Sequence, residues 1–130
     1  MKTAGLRHLA LWVKNFDEMI QFYSTLLEME VEWAPDADNV YLTSGNDNLA
    51  LHRLPAEKTL PSFGALDHLG FILDTPEAVD ECYASFQQAN GSIDTEPKTH
   101  RDGARRFYCR DPDNNRVQMI YHPPISGKSL

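Results

Sequence analysis

Two segments of the chain open on a histidine and carry an apolar residue at every second position after it, then change period. The first is His8-Leu9-Ala10-Leu11-Trp12-Val13, and sixty residues later comes His68-Leu69-Gly70-Phe71-Ile72-Leu73. In an extended strand, side chains at i, i+2 and i+4 share a face, so His8 goes with Ala10 and Trp12, and His68 with Gly70 and Ile72. The opposite face of each strand is wholly apolar and must be covered. After the first strand, Phe16, Met19, Ile20, Tyr23, Leu26 and Leu27 recur at three-and-four spacing, which predicts an amphipathic helix ending near Glu28. Asn15 is its candidate cap, with Asp17 and Glu18 in the first turn, where the helix dipole favours acids. After the second strand, Thr75-Pro76-Glu77 reads as cap, first-turn proline and first-turn acid. Val79, Cys82, Tyr83 and Phe86 then form the stripe, and Gly91 is the candidate stop.

The remaining apolar runs are short. Met29 to Trp33, Asn39 to Thr43 and Asn48 to Leu54 read as strands separated by Ala34-Pro35-Asp36 and by Ser44-Gly45-Asn46-Asp47. Ser92 to Glu96, Ala104 to Arg110 and Arg116 to Tyr121 complete a second set. Between the sets, Pro55 to Gly64 carries no periodicity and reads as a linker. The chain thus divides into a strand-helix-three-strand module over residues 1–54, a linker over 55–65, a second such module over 66–122, and a loose tail over 123–130. Asp111-Pro112-Asp113-Asn114-Asn115 reads as a five-residue hairpin connection. Symmetric closure would pair Arg110 with Arg116, Tyr108 with Gln118 and Arg106 with Ile120.

Length and composition narrow the picture further. At 130 residues and 42% apolar content, the chain can bury a core but is too short for two ordinary independent domains. A formal charge of -7 argues against a nucleic-acid backbone or an anionic membrane as main partner. Cys82 and Cys109 show neither pairing nor metal spacing, so they read as reduced thiols. No run approaches the ~18 apolar residues of a spanning helix, and the N-terminus has no apolar signal core. A cytoplasmic location is expected.

The two modules and the Asp-Pro-Asp hairpin before the last strand resemble the vicinal oxygen chelate superfamily, which includes glyoxalase I, bleomycin-resistance proteins and extradiol dioxygenases. The resemblance runs from the His8 strand through Phe22-Tyr23 to Asp111-Pro112-Asp113. It implies a glyoxalase-like α+β fold, two tandem βαβββ modules forming a curved mixed sheet around a central cavity. It also implies a divalent ion, such as Zn, Ni, Mn or Fe, on His8, His68 and Gln118. Two positions depart from the family pattern. Asn114 stands where glycine is usual, and Asn enters the left-handed region more readily than other residues with side chains. Gln118 replaces the usual Glu, so the set of donors carries no net charge; it would bind an ion less tightly but leave it more electrophilic. Iron-dependent ring cleavage, which normally uses two histidines and a carboxylate, falls in rank.

The fourth ligand position of the family falls near Ala50, which cannot ligate. His52 shares that residue's face and could ligate, act as a base or line the cavity. Tyr108 is either a hydrogen-bonding cavity residue or packing. Arg106 suits a substrate carboxylate or phosphate, or is an exposed member of the basic cluster Arg101, Arg105, Arg106 and Arg110. Trp12 is expected in a cavity wall or module interface. Two functions compete. One is a metal-dependent lyase or isomerase related to lactoylglutathione lyase, whose small substrate chelates the ion through adjacent oxygens, with His52 or a metal-bound hydroxide as base. The other is a protein that sequesters a small molecule without chemistry, of the bleomycin-resistance type. Either is expected as a homodimer, since short half-modules leave strand edges exposed.

Overall fold

The computed structural model describes residues 1–128. The element order is β1 (His8–Val13), α1 (Phe16–Gln21), β2 (Glu30–Asp36), β3 (Asn39–Thr43), β4 (Asn48–Arg53), β5 (Leu69–Ile72), α2 (Pro76–Gln88), β6 (Ser92–Ile93), β7 (Lys98–Thr99), β8 (Arg105–Arg110) and β9 (Arg116–Tyr121). The chain forms two compact units, Met1–Ser62 and Phe63–Leu130. Each has its own mixed sheet, one four-stranded in the order β1-β4-β3-β2, the other five-stranded in the order β5-β9-β8-β6 with β7 also on β8. The repeat read from the two opening strands is therefore a repeat of topology. In each unit the first strand pairs in parallel with the last, β1 with β4 and β5 with β9.

In the first unit, β1 alternates as its sequence predicts. His8, Ala10 and Trp12 are exposed, whereas Leu9 and Leu11 are partly covered and Val13 is buried. The apolar side continues across the register through Leu49 and Leu42, and through Leu51 and Val40, all buried. Phe16, Met19 and Tyr23 complete that core from the helix, and α1 packs on β4. Full burial of such a side chain is worth about 1.5–3 kcal/mol. The helix is shorter and less regular than its apolar spacing predicts. Asn15 stands at the N-cap without a side-chain cap bond. After Gln21, residues Phe22–Leu26 form a π-helical turn. There Ser24 Oγ donates to the Ile20 carbonyl at 2.6 Å, taking the acceptor that the Ser24 amide would use in an α-helix. Leu27 N then bonds back to Phe22 O at 3.2 Å, and Glu28 turns the chain at φ 58°.

In the second unit, α2 begins as its sequence predicts. Thr75 caps it by accepting from Ala78 N at 3.1 Å, with Pro76 in the first turn. It does not end on a left-handed Gly91. Asn90 takes the positive φ of 54° and its N–H bonds Gln87 O, while Gly91 N bonds Phe86 O at 2.8 Å. Gly91 is needed for a different reason, since a Cβ there would stand 3.0 Å from the Phe86 ring. Phe107 holds this core between the edges of Tyr83 and Phe86. Of the strand expected over Ser92 to Glu96 only Ser92–Ile93 forms, as β6; β7 lies beyond it, and both pair with β8. After β9 the chain makes hydrogen-bonded turns through Lys128, with Gly127 N on the Asp74 carboxylate. Of the tail expected to be loose, residues 129–130 lie outside the described residues.

The hairpin between β8 and β9 closes in the predicted register: Arg110 faces Arg116, Tyr108 faces Gln118 and Arg106 faces Ile120. Its connection opens on the buried Asp111, whose carboxylate gathers the turn. One carboxylate oxygen accepts from Asp113 N and Asn115 N, the other from the Asn115 side chain, all at 2.9–3.0 Å. Asn114 sits in the left-handed region at φ 68°.

Candidate functional site

In the first unit, strand pairing lays polar and aromatic residues across the sheet face opposite the helix. One cross-strand row reads Trp12, His52, Asn39, Asp36, and the next reads Ala10, Ala50, Tyr41, Trp33. The two rows interlock. The His52 ring lies 5.8 Å from Trp12 and 5.9 Å from Tyr41, and Tyr41 stacks on Trp33 at 5.1 Å. Trp12 and Trp33 are more than half exposed, so this aromatic shelf is available to a ligand. Ala50 is fully buried beneath it.

Both histidines on this face are held in the same way. His8 Nδ1 meets Asn48 Oδ1 at 2.7 Å, and Asn48 Nδ2 donates to Glu32 at 3.0 Å. His52 Nδ1 meets Asn39 Oδ1 at 2.6 Å, and Asn39 Nδ2 donates to both Asp36 oxygens at 2.9 and 3.1 Å. Hydrogen bonds from the backbone of Asp38, then from the Asn39 side chain, hold the Asp36 carboxyl below its usual range. Beside His8, a recess of about 530 Å³ is lined in part by Arg7, Glu32, Thr43 and Asn48.

In the second unit, the corresponding face carries His68, Tyr108, Gln118, Arg106, Arg110 and Arg116. His68 lies one residue before β5 rather than inside a strand. Its Nδ1 meets Asp67 Oδ1 at 2.6 Å, and this bond is the main reason the Asp67 carboxyl is held low. The His68 ring meets the edge of Tyr108 at 5.4 Å. Gln118 Nε2 donates to the Tyr108 hydroxyl at 3.0 Å. The amide oxygen of Gln118 points over Gly70, where a Cβ would stand 3.4 Å from it. Arg116 lies over the Tyr108 ring at 3.8 Å. It directly opposes Arg110, a repulsive pairing offset by Asp94, which lies 2.8 Å from Arg110 and 3.5 Å from Arg116. Of the basic cluster, Arg105 is committed to Asp80 at 2.7 Å. Arg106 lies beside Tyr108 on the open face, and its charge helps to hold the Asp102 carboxyl low, after the backbone bond from Ala104.

The residues read from the sequence thus fall into two groups on open faces: His8, Trp12 and His52 in one unit, and His68, Gln118, Tyr108 and Arg106 in the other. Among the described residues, no three His, Cys, Asp or Glu side chains cluster in a way that could hold an ion. The donor set in question includes an amide, and its parts suit a divalent ion individually. Each imidazole has Nδ1 tied to an oxygen, the arrangement that leaves Nε2 for a metal, and Gln118 Oε1 is left uncovered by Gly70. The sequence reading missed Asn39, Asn48, Glu32 and Asp36. A signal was present for Asn39: a hairpin centred on Gly45-Asn46 places Asn39 directly opposite His52.

Paired units of this topology, with polar side chains gathered on the face away from the helix, define a class of small double-module α+β proteins. Residues 5–119 match the family model of the Glyoxalase/Bleomycin resistance protein/Dioxygenase superfamily, and the chain belongs to that superfamily. Solved structures agree on the fold. Lactoylglutathione lyase from Agrobacterium tumefaciens is 21% identical, with 96% of this chain and 98% of that one covered at a TM-score of 0.76. A glyoxalase/bleomycin resistance protein/dioxygenase from Alicyclobacillus acidocaldarius is 22% identical, with 94% and 95% covered at 0.68. A virulence protein from Salmonella typhimurium is 22% identical, with 94% and 99% covered at 0.70. At these identities the likeness carries the fold alone. No helix among the described residues is long and apolar enough to cross a membrane.

Proposed function

We propose that the protein is a glyoxalase-like metalloenzyme of the lyase or isomerase type, acting on a small substrate with adjacent oxygens. His8, His68 and Gln118 would hold the divalent ion. The observation that carries this reading is the state of those three side chains: each has its second polar atom engaged, by Asn48, Asp67 and Tyr108 respectively. Such outer partners orient a ligand and fix its tautomer. Divalent metals are in general use in the superfamily. A bound ion would supply Lewis-acid polarisation of the substrate oxygens.

The chain's own residues supply the rest. Gln118 cannot take a proton, whereas His52 can, through Nε2. Arg106 offers a two-pronged donor for a carboxylate or phosphate on the substrate. Trp12 gives an apolar wall beside His52. Metal content of protein purified without chelators or a metal-affinity tag tests the reading. Near-stoichiometric divalent ion in the wild type, lost in His8→Ala and His68→Ala, is expected; protein that neither retains nor takes up metal overturns it.

The exposed aromatic shelf favours a second reading, sequestration of a small molecule in the bleomycin-resistance manner, with Glu32 and Asp36 nearby to suit a cation. Ligand binding that survives complete removal of metal would select it. Under both readings we propose a homodimer, supported by β2, an edge strand exposed at every residue and carrying Val31 and Trp33. Sedimentation showing only monomer at high concentration would reject the dimer.

A further inference from the structure

We infer that Asn39, anchored by Asp36, is a positioning residue that fixes the tautomer of His52 and so makes its Nε2 a proton acceptor on the open face of the first sheet. This rests on the reading of His52 as the base. It deepens that reading by naming what sets the base in its working form.

Hydrogen-bond polarity runs inward from the edge strand. The Asp36 carboxylate has no proton to donate once ionised. Its carboxyl is held low by the Asp38 and Asn39 donors, so it is ionised throughout the neutral range. Both of its oxygens are met by Asn39, at 2.9 and 3.1 Å, and the group of Asn39 that meets them must be its NH₂. The other end of the amide, Oδ1, is then turned to His52 at 2.6 Å. An amide oxygen only accepts, so Nδ1 of His52 must carry the hydrogen. In the neutral ring, Nε2 is left with its lone pair. Cross-strand register supports every link, since Asp36 pairs with Asn39 and Asn39 with His52.

The same construction recurs on the same face at His8, through Asn48 to Glu32. Both chains end on an acid of β2. Acids of an exposed edge strand thus dictate the chemistry of two imidazoles through the asparagines between them. For His52 acting as the base, the group it meets on a ligand is a proton donor: an O–H, an N–H, or a C–H made acidic by a neighbouring carbonyl.

The test reads the tautomer directly. In uniformly ¹⁵N-labelled full-length protein, long-range ¹H–¹⁵N correlations are recorded where the imidazole is neutral, with His52 assigned by its loss in His52→Gln. Expected are a protonated Nδ1 and a bare Nε2 in the wild type. In Asn39→Ala, and in Asp36→Ala, a change on an exposed edge that leaves the core untouched, the Nδ1–H form should lose its dominance. Asn39→Asp, which keeps an acceptor at that place, should retain it. An Nε2–H form in the wild type, or the same tautomer in Asn39→Ala and Asp36→Ala as in the wild type, overturns the inference. The spectra need neither metal nor substrate, so the metalloenzyme reading can fail while this result stands, and the reverse.

Discussion

Gln118 stands directly opposite Tyr108 across the β8–β9 ladder, and its amide nitrogen donates to the phenol oxygen at 3.0 Å. The bond commits the nitrogen and leaves the carbonyl oxygen over Gly70. If that oxygen is a metal ligand, Tyr108 is its orienting partner. Tyr108→Phe should then weaken divalent-ion binding by about 10- to 100-fold, the usual range for loss of an outer-shell partner. Gln118→Glu should tighten it by about tenfold or more, roughly 1.4 kcal/mol, by placing a charge at the same reach. Calorimetric titration with Zn²⁺, Ni²⁺ and Mn²⁺ measures both. Equal affinities in wild type, Tyr108→Phe and Gln118→Glu would remove Gln118 from the ligand set.

The hairpin that presents Gln118 is a separate test of how the register is held. Asp111 is buried and its carboxylate satisfies two backbone amides and the Asn115 side chain. Asp111→Ala leaves those donors without their acceptor and should cost about 2–3 kcal/mol of stability. Asn114 already adopts φ 68°. Asn114→Gly should therefore be stabilising by several tenths to about 1 kcal/mol, since glycine takes that conformation without steric cost. Urea unfolding at unchanged slope checks both, and a destabilising Asn114→Gly would show that the asparagine side chain contributes more than its backbone costs.

What could be read from the chain follows from the range of the forces involved. The alternation in β1, the Thr75-Pro76 start of α2 and the symmetric closure around Asp113 are local, and the structure has them where the pattern places them. The π-helical turn after Gln21, with the Ser24 hydroxyl on the Ile20 carbonyl, leaves no mark in the apolar periodicity. At the site, the histidines and Gln118 were visible because strand alternation assigns them a face. Asn48 was not, because it acquires meaning only once β4 is paired, in parallel, with β1, whereas Asn39 follows from the β3–β4 turn and went unread. The parallel pairing joins segments far apart in sequence, with no turn chemistry between them to mark it.

Three carboxyls, Asp36, Asp67 and Asp102, are held below the usual range, chiefly by the Asp38 amide, by the His68 ring and by the Ala104 amide respectively. A carboxyl depressed on folding contributes stability that is present above its unfolded pKa and is lost as pH falls through its folded one. The loss should therefore be confined to pH below about 4, the unfolded aspartate range. All three are exposed, so screening keeps each contribution small. The Asp36→Asn, Asp67→Asn, Asp102→Asn triple variant should show a shallower fall in melting temperature between pH 5 and pH 2.5 than the wild type. An equal fall in both proteins would place the acid sensitivity elsewhere.

Cys82 and Cys109 lie within the second unit's core region, unpaired. Burial pushes their thiols up to about 11 and about 12. Only the thiolate reacts, and at pH 8 a pKa of 11 leaves about one thiol in a thousand ionised, against roughly a quarter for an unperturbed cysteine. Native protein should therefore react with a thiol-exchange reagent at least about 100-fold more slowly than protein unfolded in guanidinium, where both cysteines should react at the rate of free thiols. Cys109, at zero exposure on β8, should be the slower of the two, and its modification should track global unfolding. Rapid labelling of either residue in the folded protein would mean that the face of α2 carrying Cys82, or the β8 side of the sheet, opens without unfolding.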